Sequence, residues 1–232
     1  MLLPGGRFAI QIAGIADAAD LAAAVEGGAT HLGFPLRLPV HAEDCDERAA
    51  AALVATLPPG VEAVLITYLE TAREIGALSR AVGVRTVQLH GEPAPDEFLE
   101  LRRIAPGLSL WSALVVGAAP ESRLAARMDR LAPLVDAFVT DTFDPARGAR
   151  GATGRTHDWG VSARLAARSP RPLVLAGGLT PENVADAIAA VRPAGVDAHT
   201  GIEDAAGRKD PARVRAFVAA ARAAAAREGM PA

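Results

Sequence analysis

Lysine is almost missing from this chain. Lys209 is the only one, and arginine supplies the rest of the 24 basic residues. Schiff-base catalysis needs a desolvated lysine, and Lys209 stands in the polar stretch EDAAGRKDPAR, so that chemistry is not expected. Cysteine is equally scarce. Cys45 stands alone and cannot form an internal disulfide, which fits a cytoplasmic protein. Only 4% of residues are aromatic, so a core must be built from Ala, Val, Leu and Ile. No apolar run reaches membrane-span length, and MLLPGGRF lacks the apolar segment of a secretory signal, so no membrane partner is expected. The formal net charge is −3, with no basic stripe, which argues against nucleic acid. The turn after the first apolar run reads GIADAAD, without the glycine fingerprint of a dinucleotide fold. No HxH or HExxH spacing occurs. No metal or other cofactor is expected.

What is present is alternation. Half of the 232 residues are apolar, enough for a full core. They fall into short β runs separated by helical stretches. The predicted strands are Phe8–Ala13, His31–Phe34, Ala63–Thr67, Thr86–Leu89, Ser109–Val116, Ala137–Thr140, Leu173–Ala176 and Val196–Ala198. The predicted helices are Asp17–Glu26, Asp46–Leu57, Glu70–Ala81, Pro95–Ala105, Glu121–Leu131, Val161–Ala167, Pro181–Ala190 and Asp210–Arg227. The strands are apolar on both faces and bounded by Gly or Pro, as buried parallel strands are. Eight such units spell an α/β fold, a single (β/α)8 TIM barrel over residues 1–232. In a barrel the strand ends share one face, so Ala13, His90, Asp141, Gly177 and His199 are expected to meet there.

Two loops at that face are built for an anion. Gly177-Gly178 follows the seventh predicted strand and Thr200-Gly201 the eighth. Barrels commonly hold phosphate there, where glycine lets backbone N–H groups approach. A small anionic or phosphorylated metabolite is therefore the expected partner. Gln11 and Gln88 lie on strands, where buried amides need partners, and either orient a ligand or satisfy each other. Tyr68, after the third strand, is a candidate pocket wall.

Four stretches together resemble the phosphoribosylanthranilate isomerase family. They are VQLHG (Val87–Gly91), GATGRTHDW (Gly151–Trp159), LAGGLTPENVADAI (Leu175–Ile188) and GVDAHTGIED (Gly195–Asp204). The resemblance runs from Phe8 to the last helix. It implies a barrel enzyme of tryptophan biosynthesis that turns an aminoaldose phosphate into an aminoketose. A general acid opens the furanose, and a general base then takes the proton from C2. Asp141, in FVTDT, matches the family's acid, and His90 belongs to its VQLHG.

The chain departs from that family at three places. The family's base is a cysteine in a Lys-Ile-Cys-Gly pattern, where this chain has Gln11-Ile12-Ala13-Gly14. Its carboxylate-binding arginine aligns best with Val40, and Arg37 lies close on another register. His199 and Thr200 stand where two serines are usual. His41 and His157 also depart from the family, and together with His199 they are candidates for a proton-transfer set. With base and clamp both substituted, ordinary tryptophan-pathway activity is expected to be weak. If the barrel is an enzyme, His199 and Asp141 are expected to act together across its mouth. Two other readings stay open: a repurposed histidine- or metal-dependent lyase or hydrolase, and a noncatalytic ligand-binding barrel.

Overall fold

The computed structural model describes residues 3, 6–39, 43–144, 149–150 and 156–231. Val40, His41 and the start of the GATGRTHDW stretch lie outside them. Parallel strands β1 (Ala9–Ala13), β2 (His31–Pro35), β3 (Glu62–Thr67), β4 (Thr86–Leu89), β5 (Ser109–Val116), β6 (Ala137–Asp144), β8 (Leu173–Leu175) and β9 (Gly195–Ala198) pair in the order β5-β4-β3-β2-β1-β9-β8-β6. A further β5–β6 pairing closes the barrel. The intervening strand, β7 (Ala149–Arg150), makes an antiparallel hairpin with the end of β6.

Helices α1 (Ala18–Gly27), α2 (Glu47–Val54), α3 (Ala72–Val82), α4 (Pro95–Ile104), α5 (Glu121–Leu131), α6 (Trp159–Arg168), α7 (Val184–Val191) and α8 (Pro211–Arg227) form the outer layer. Their starts follow from local chemistry. Asp17, Asp46, Thr71, Asp158 and Asp210 each accept a bond from a first-turn backbone N–H, satisfying donors that the helix cannot pair itself. Among the described residues no helix is long and apolar enough to cross a membrane.

Strand periodicity divides the interior. Ile10, Ile12, Leu65, Val87, Leu110, Leu114, Phe138 and Val196 face the helices and join one large core. The alternate positions point into the barrel: Ala9, Trp111, Ala137, Val139, Val174 and Ala176 fill its floor, and Ala13, Val64 and Ile66 sit above. Trp111 is thus a core residue, 2% exposed, with its indole N–H donated to Ser109 Oγ at 3.1 Å. His31 lies beside it in the interior. Burial holds its pKa down near 4, and Thr30 Oγ1 meets its Nδ1 at 2.8 Å.

Three boundaries differ from the sequence expectation by three residues or more. The predicted helix at Pro181 begins instead at Val184. Thr180 N–H donates to Asn183 Oδ1, Glu182 N–H to Thr180 Oγ1, and the Asn183 amide to the Gly178 carbonyl. These local side-chain bonds replace the first helical turn. The second helix stops at Val54, where Thr56 Oγ1 donates back to the Leu53 carbonyl ahead of Pro58-Pro59. The sixth strand runs on to Asp144 because β7 pairs with its end.

Candidate active site

Inward-facing positions near the C-terminal strand ends form a buried polar chain. Gln11 Nε2 donates to Gln88 Oε1 at 2.9 Å, while Gln11 Oε1 is buried with no hydrogen-bond partner among the described residues. Gln88 then has its own N–H groups to give, to His90 Nε2 at 2.8 Å and Asp197 Oδ2 at 3.5 Å. A donor facing Nε2 leaves that nitrogen as the acceptor, so the His90 proton sits on Nδ1. That nitrogen faces Asp141 Oδ2 at 3.8 Å. Asp141 Oδ1 accepts from the Thr142 N–H at 2.7 Å.

Two carboxyls share this low-dielectric space. Burial pushes Asp141 up to about 6, against the Thr142 hydrogen bond and the more distant charge of His199. Asp197 is also pushed to about 6, by burial and then by the Asp141 charge. A carboxyl protonated close to neutral pH is what a general acid needs. Asp197 was given no role from sequence. Its inward parity on β9, two positions before His199, is the signal that places it.

A cleft of about 570 Å³ opens beside His90, lined also by Arg37, Leu38, Pro39, Tyr68 and Glu70, a size suited to a small ligand. Tyr68 packs on His90 with ring centroids 5.4 Å apart. Arg37 has a left-handed backbone (φ 59) and an ion pair from Nη2 to Glu47 at 2.5 Å. A basic side chain thus does reach this side of the mouth, from a different register than Val40.

The two glycine loops, after β8 and β9, meet each other. Gly177 and Gly178 take φ 96 and 63, conformations that favour glycine. Thr200–Ile202 forms a 3-10 turn. A Cβ on Gly201 would lie 2.0 Å from the Leu179 carbonyl oxygen, so the loops after β8 and β9 pack backbone to backbone.

His157 is held as a brace. Its Nδ1 meets Thr142 Oγ1 at 2.9 Å and its Nε2 meets Ser162 Oγ at 2.6 Å, tying α6 to β6. Burial lowers its pKa to about 4, so the ring is neutral. Phenylalanine in its place is expected to cost about 1–3 kcal/mol for the stranded hydroxyls and to leave kcat within a few-fold. Thermal melts and steady-state rates on that variant check this, and a large kcat loss at unchanged stability contradicts it.

A further polar cluster crowns β1 and β9. Its centre is His199, with Nε2 3.8 Å from Asp44 Oδ2 and 3.4 Å from Glu203 Oε1. Lys209 is not solvated as its polar surroundings in sequence suggest. Its side chain is fully buried, donating to Glu203 Oε1 at 2.6 Å and to the His199 carbonyl at 3.3 Å. The segment is drawn inward because Asp20 on α1 accepts from both Arg208 Nη2 and the Lys209 N–H. Burial works to raise the Asp44 carboxyl, yet hydrogen bonding and charge from His199, with the charge of Lys209, hold it below the usual range. Among the described residues no three His, Cys, Asp or Glu side chains gather as a metal site.

Comparison with known proteins places this geometry. A model of N-(5'-phosphoribosyl)anthranilate (PRA) isomerase matches residues 10–220. N-(5'-phosphoribosyl)anthranilate isomerase 2 of Methanosarcina mazei is 37% identical over 90% of this chain and 92% of its own length. The crystal structure of the Thermotoga maritima isomerase superposes with a TM-score of 0.77 at 32% identity, covering 93% of this chain and 99% of that one. A second isomerase structure, 29% identical with a TM-score of 0.74 over 93% and 99% of the two chains, is a complex with reduced 1-(o-carboxyphenylamino)-1-deoxyribulose 5-phosphate. These relatives lend no support to the expectation of weak ordinary activity drawn from Ala13 and Val40, nor do they favour a lyase, hydrolase or noncatalytic barrel. The chain belongs to the N-(5'-phosphoribosyl)anthranilate isomerase family.

Proposed function

We propose that this protein isomerises N-(5'-phosphoribosyl)anthranilate to the corresponding 1-amino-1-deoxyribulose 5-phosphate in tryptophan biosynthesis. The observation that carries the reading is Asp141, a buried carboxyl at the barrel mouth whose pKa is raised to about 6. Its proton goes to the furanose ring oxygen. The C1–O bond breaks as the anilino nitrogen lone pair forms the C1=N bond. His90 Nδ1–H and the Thr142 N–H face the carboxylate left behind. Loss of the C2 proton then gives an enaminol, which becomes the ketone on reprotonation at C1.

The substrate is elongated, and the mouth supports that shape. The glycine loops after β8 and β9 suit the phosphate. The cleft with Arg37, Tyr68 and His90 suits the aryl end. The protein that binds the reduced product analogue supports the same ligand class.

Purified protein is expected to convert N-(5'-phosphoribosyl)anthranilate and to complement a tryptophan auxotroph lacking the isomerase. Inorganic phosphate or sulfate soaked into crystals is expected between Gly177-Gly178 and Thr200-Gly201. No conversion by folded protein, together with failed complementation, refutes the reading. Ordered loops without an anion at high phosphate refute the phosphate assignment alone.

A further inference from the structure

We infer that the imidazole of His199 removes the C2 proton in this chain, taking over from a first-strand side chain. The assignment rests on the isomerase reading above. It begins with register. In the parallel β1–β9 pair Ile12 stands opposite Ala198, and the next step along both strands sets Ala13 beside His199. Ala9, Gln11 and Ala13 alternate with helix-facing Ile10 and Ile12, and Asp197 alternates with helix-facing Val196 and Ala198; His199 follows directly where β9 ends. The imidazole also leans onto β1 itself. A Cβ on Gly14 would fall 2.1 Å from His199 Nε2, 2.5 Å from Cδ2 and 2.9 Å from Cε1. The ring therefore occupies the rim next to Ala13, whose methyl group can accept no proton.

Two carboxylates and an ammonium gather around the ring. Asp44 reaches Nε2 from the loop after β2, and Glu203 from the turn after β9. The buried ammonium of Lys209 is bonded to Glu203, so Lys209 and Glu203 offset each other and Asp44 is left to offset an imidazolium. A carboxylate that holds and stabilises a histidine while it takes a proton is the arrangement of hydrolytic triads. In the step itself the C2–H bond breaks and its proton goes to His199. The electron pair forms C1=C2, and the former C1=N pair returns to nitrogen as the enaminol forms. His199 then gives a proton to C1 as C2=O forms, and the proton released from the C2 hydroxyl restores the Asp141 carboxyl. The ring is 22% exposed at its side chain, and both carboxylates face one nitrogen, Nε2.

The test is kcat and KM for His199→Ala and His199→Gln beside wild type, with binding of reduced 1-(o-carboxyphenylamino)-1-deoxyribulose 5-phosphate measured by calorimetry. The Gln variant keeps the site filled if the Ala variant folds poorly. Expected is a fall in kcat on the order of 10²-fold with analogue affinity held within a few-fold. Ala13→Cys added to His199→Ala is expected to recover at least about tenfold, since general-base catalysis is worth that much or more. Wild-type kcat in a folded variant overturns the assignment. So does a loss confined to KM, a matched loss of analogue binding, or no recovery with Cys at 13. Failure of the wild-type chain to turn over the substrate refutes the function itself, a result distinct from all of these.

Discussion

Asp141→Asn is expected to lower kcat by about 10²–10⁴-fold while making the protein more stable above pH 6. Both effects come from one cause. The folded chain holds the Asp141 proton up to about 6, whereas an unfolded carboxyl releases it near 3.8. Between those values the folded state binds more protons, so stability falls as pH rises through the window and stays lower above it. Asparagine carries no charge, so it removes this penalty, and its Oδ1 still accepts from the Thr142 N–H. The gain at pH 8 is on the order of 1–3 kcal/mol, roughly 2–10 °C in Tm for a chain of this size. Wild-type kcat/KM is expected to fall as pH rises through about 6, approaching tenfold per unit. Melting curves and rates between pH 5 and 8 measure both effects. A variant that keeps wild-type kcat removes Asp141 from the chemistry.

Gly201→Ala carries the second large effect, in binding and stability. The added methyl meets Leu179 backbone atoms, its oxygen at 2.0 Å and its carbonyl carbon at 2.9 Å. No rotamer relieves a clash between two backbones, so the loops after β8 and β9 must part. Overpacking of this kind costs about 1–3 kcal/mol, roughly 2–10 °C in Tm. A phosphate held between these loops loses its geometry with them. KM for the phosphorylated substrate is expected to rise at least about tenfold, with kcat changed less, because lost ground-state binding acts mainly on KM. Lower Tm with unchanged KM and unchanged phosphate affinity contradicts the placement of the anion.

The barrel was legible because its signals are local. Strands Thr86–Leu89 and Ser109–Val116 and helix Glu121–Leu131 have the expected bounds, set by Gly, Pro and the change from continuous to periodic apolar residues. Both options stated for Gln11 and Gln88 stand: Gln11 gives its N–H to Gln88, and its buried Oε1 has no partner among the described residues. What stayed hidden depends on partners distant in sequence. Lys209 looks solvated in EDAAGRKDPAR until Asp20, nearly two hundred residues earlier, pulls its backbone inward. His157 looks like a proton carrier until Thr142 and Ser162 occupy both its nitrogens. The late start of α7 reflects Thr180 and Asn183 bonding each other instead of a helical turn, a competition that a Thr-Pro-Glu start signal does not reveal.

The central claim is that an acid–base pair at this mouth moves the C2 hydrogen of a phosphoribosyl amine. The most direct measurement is turnover of N-(5'-phosphoribosyl)anthranilate by the purified wild-type protein in deuterated water, with the product analysed by mass spectrometry and NMR. The predicted result is the aminoketose phosphate carrying solvent deuterium at C1, formed at a rate that collapses in Asp141→Asn. Substrate recovered unchanged after binding to folded protein contradicts the account.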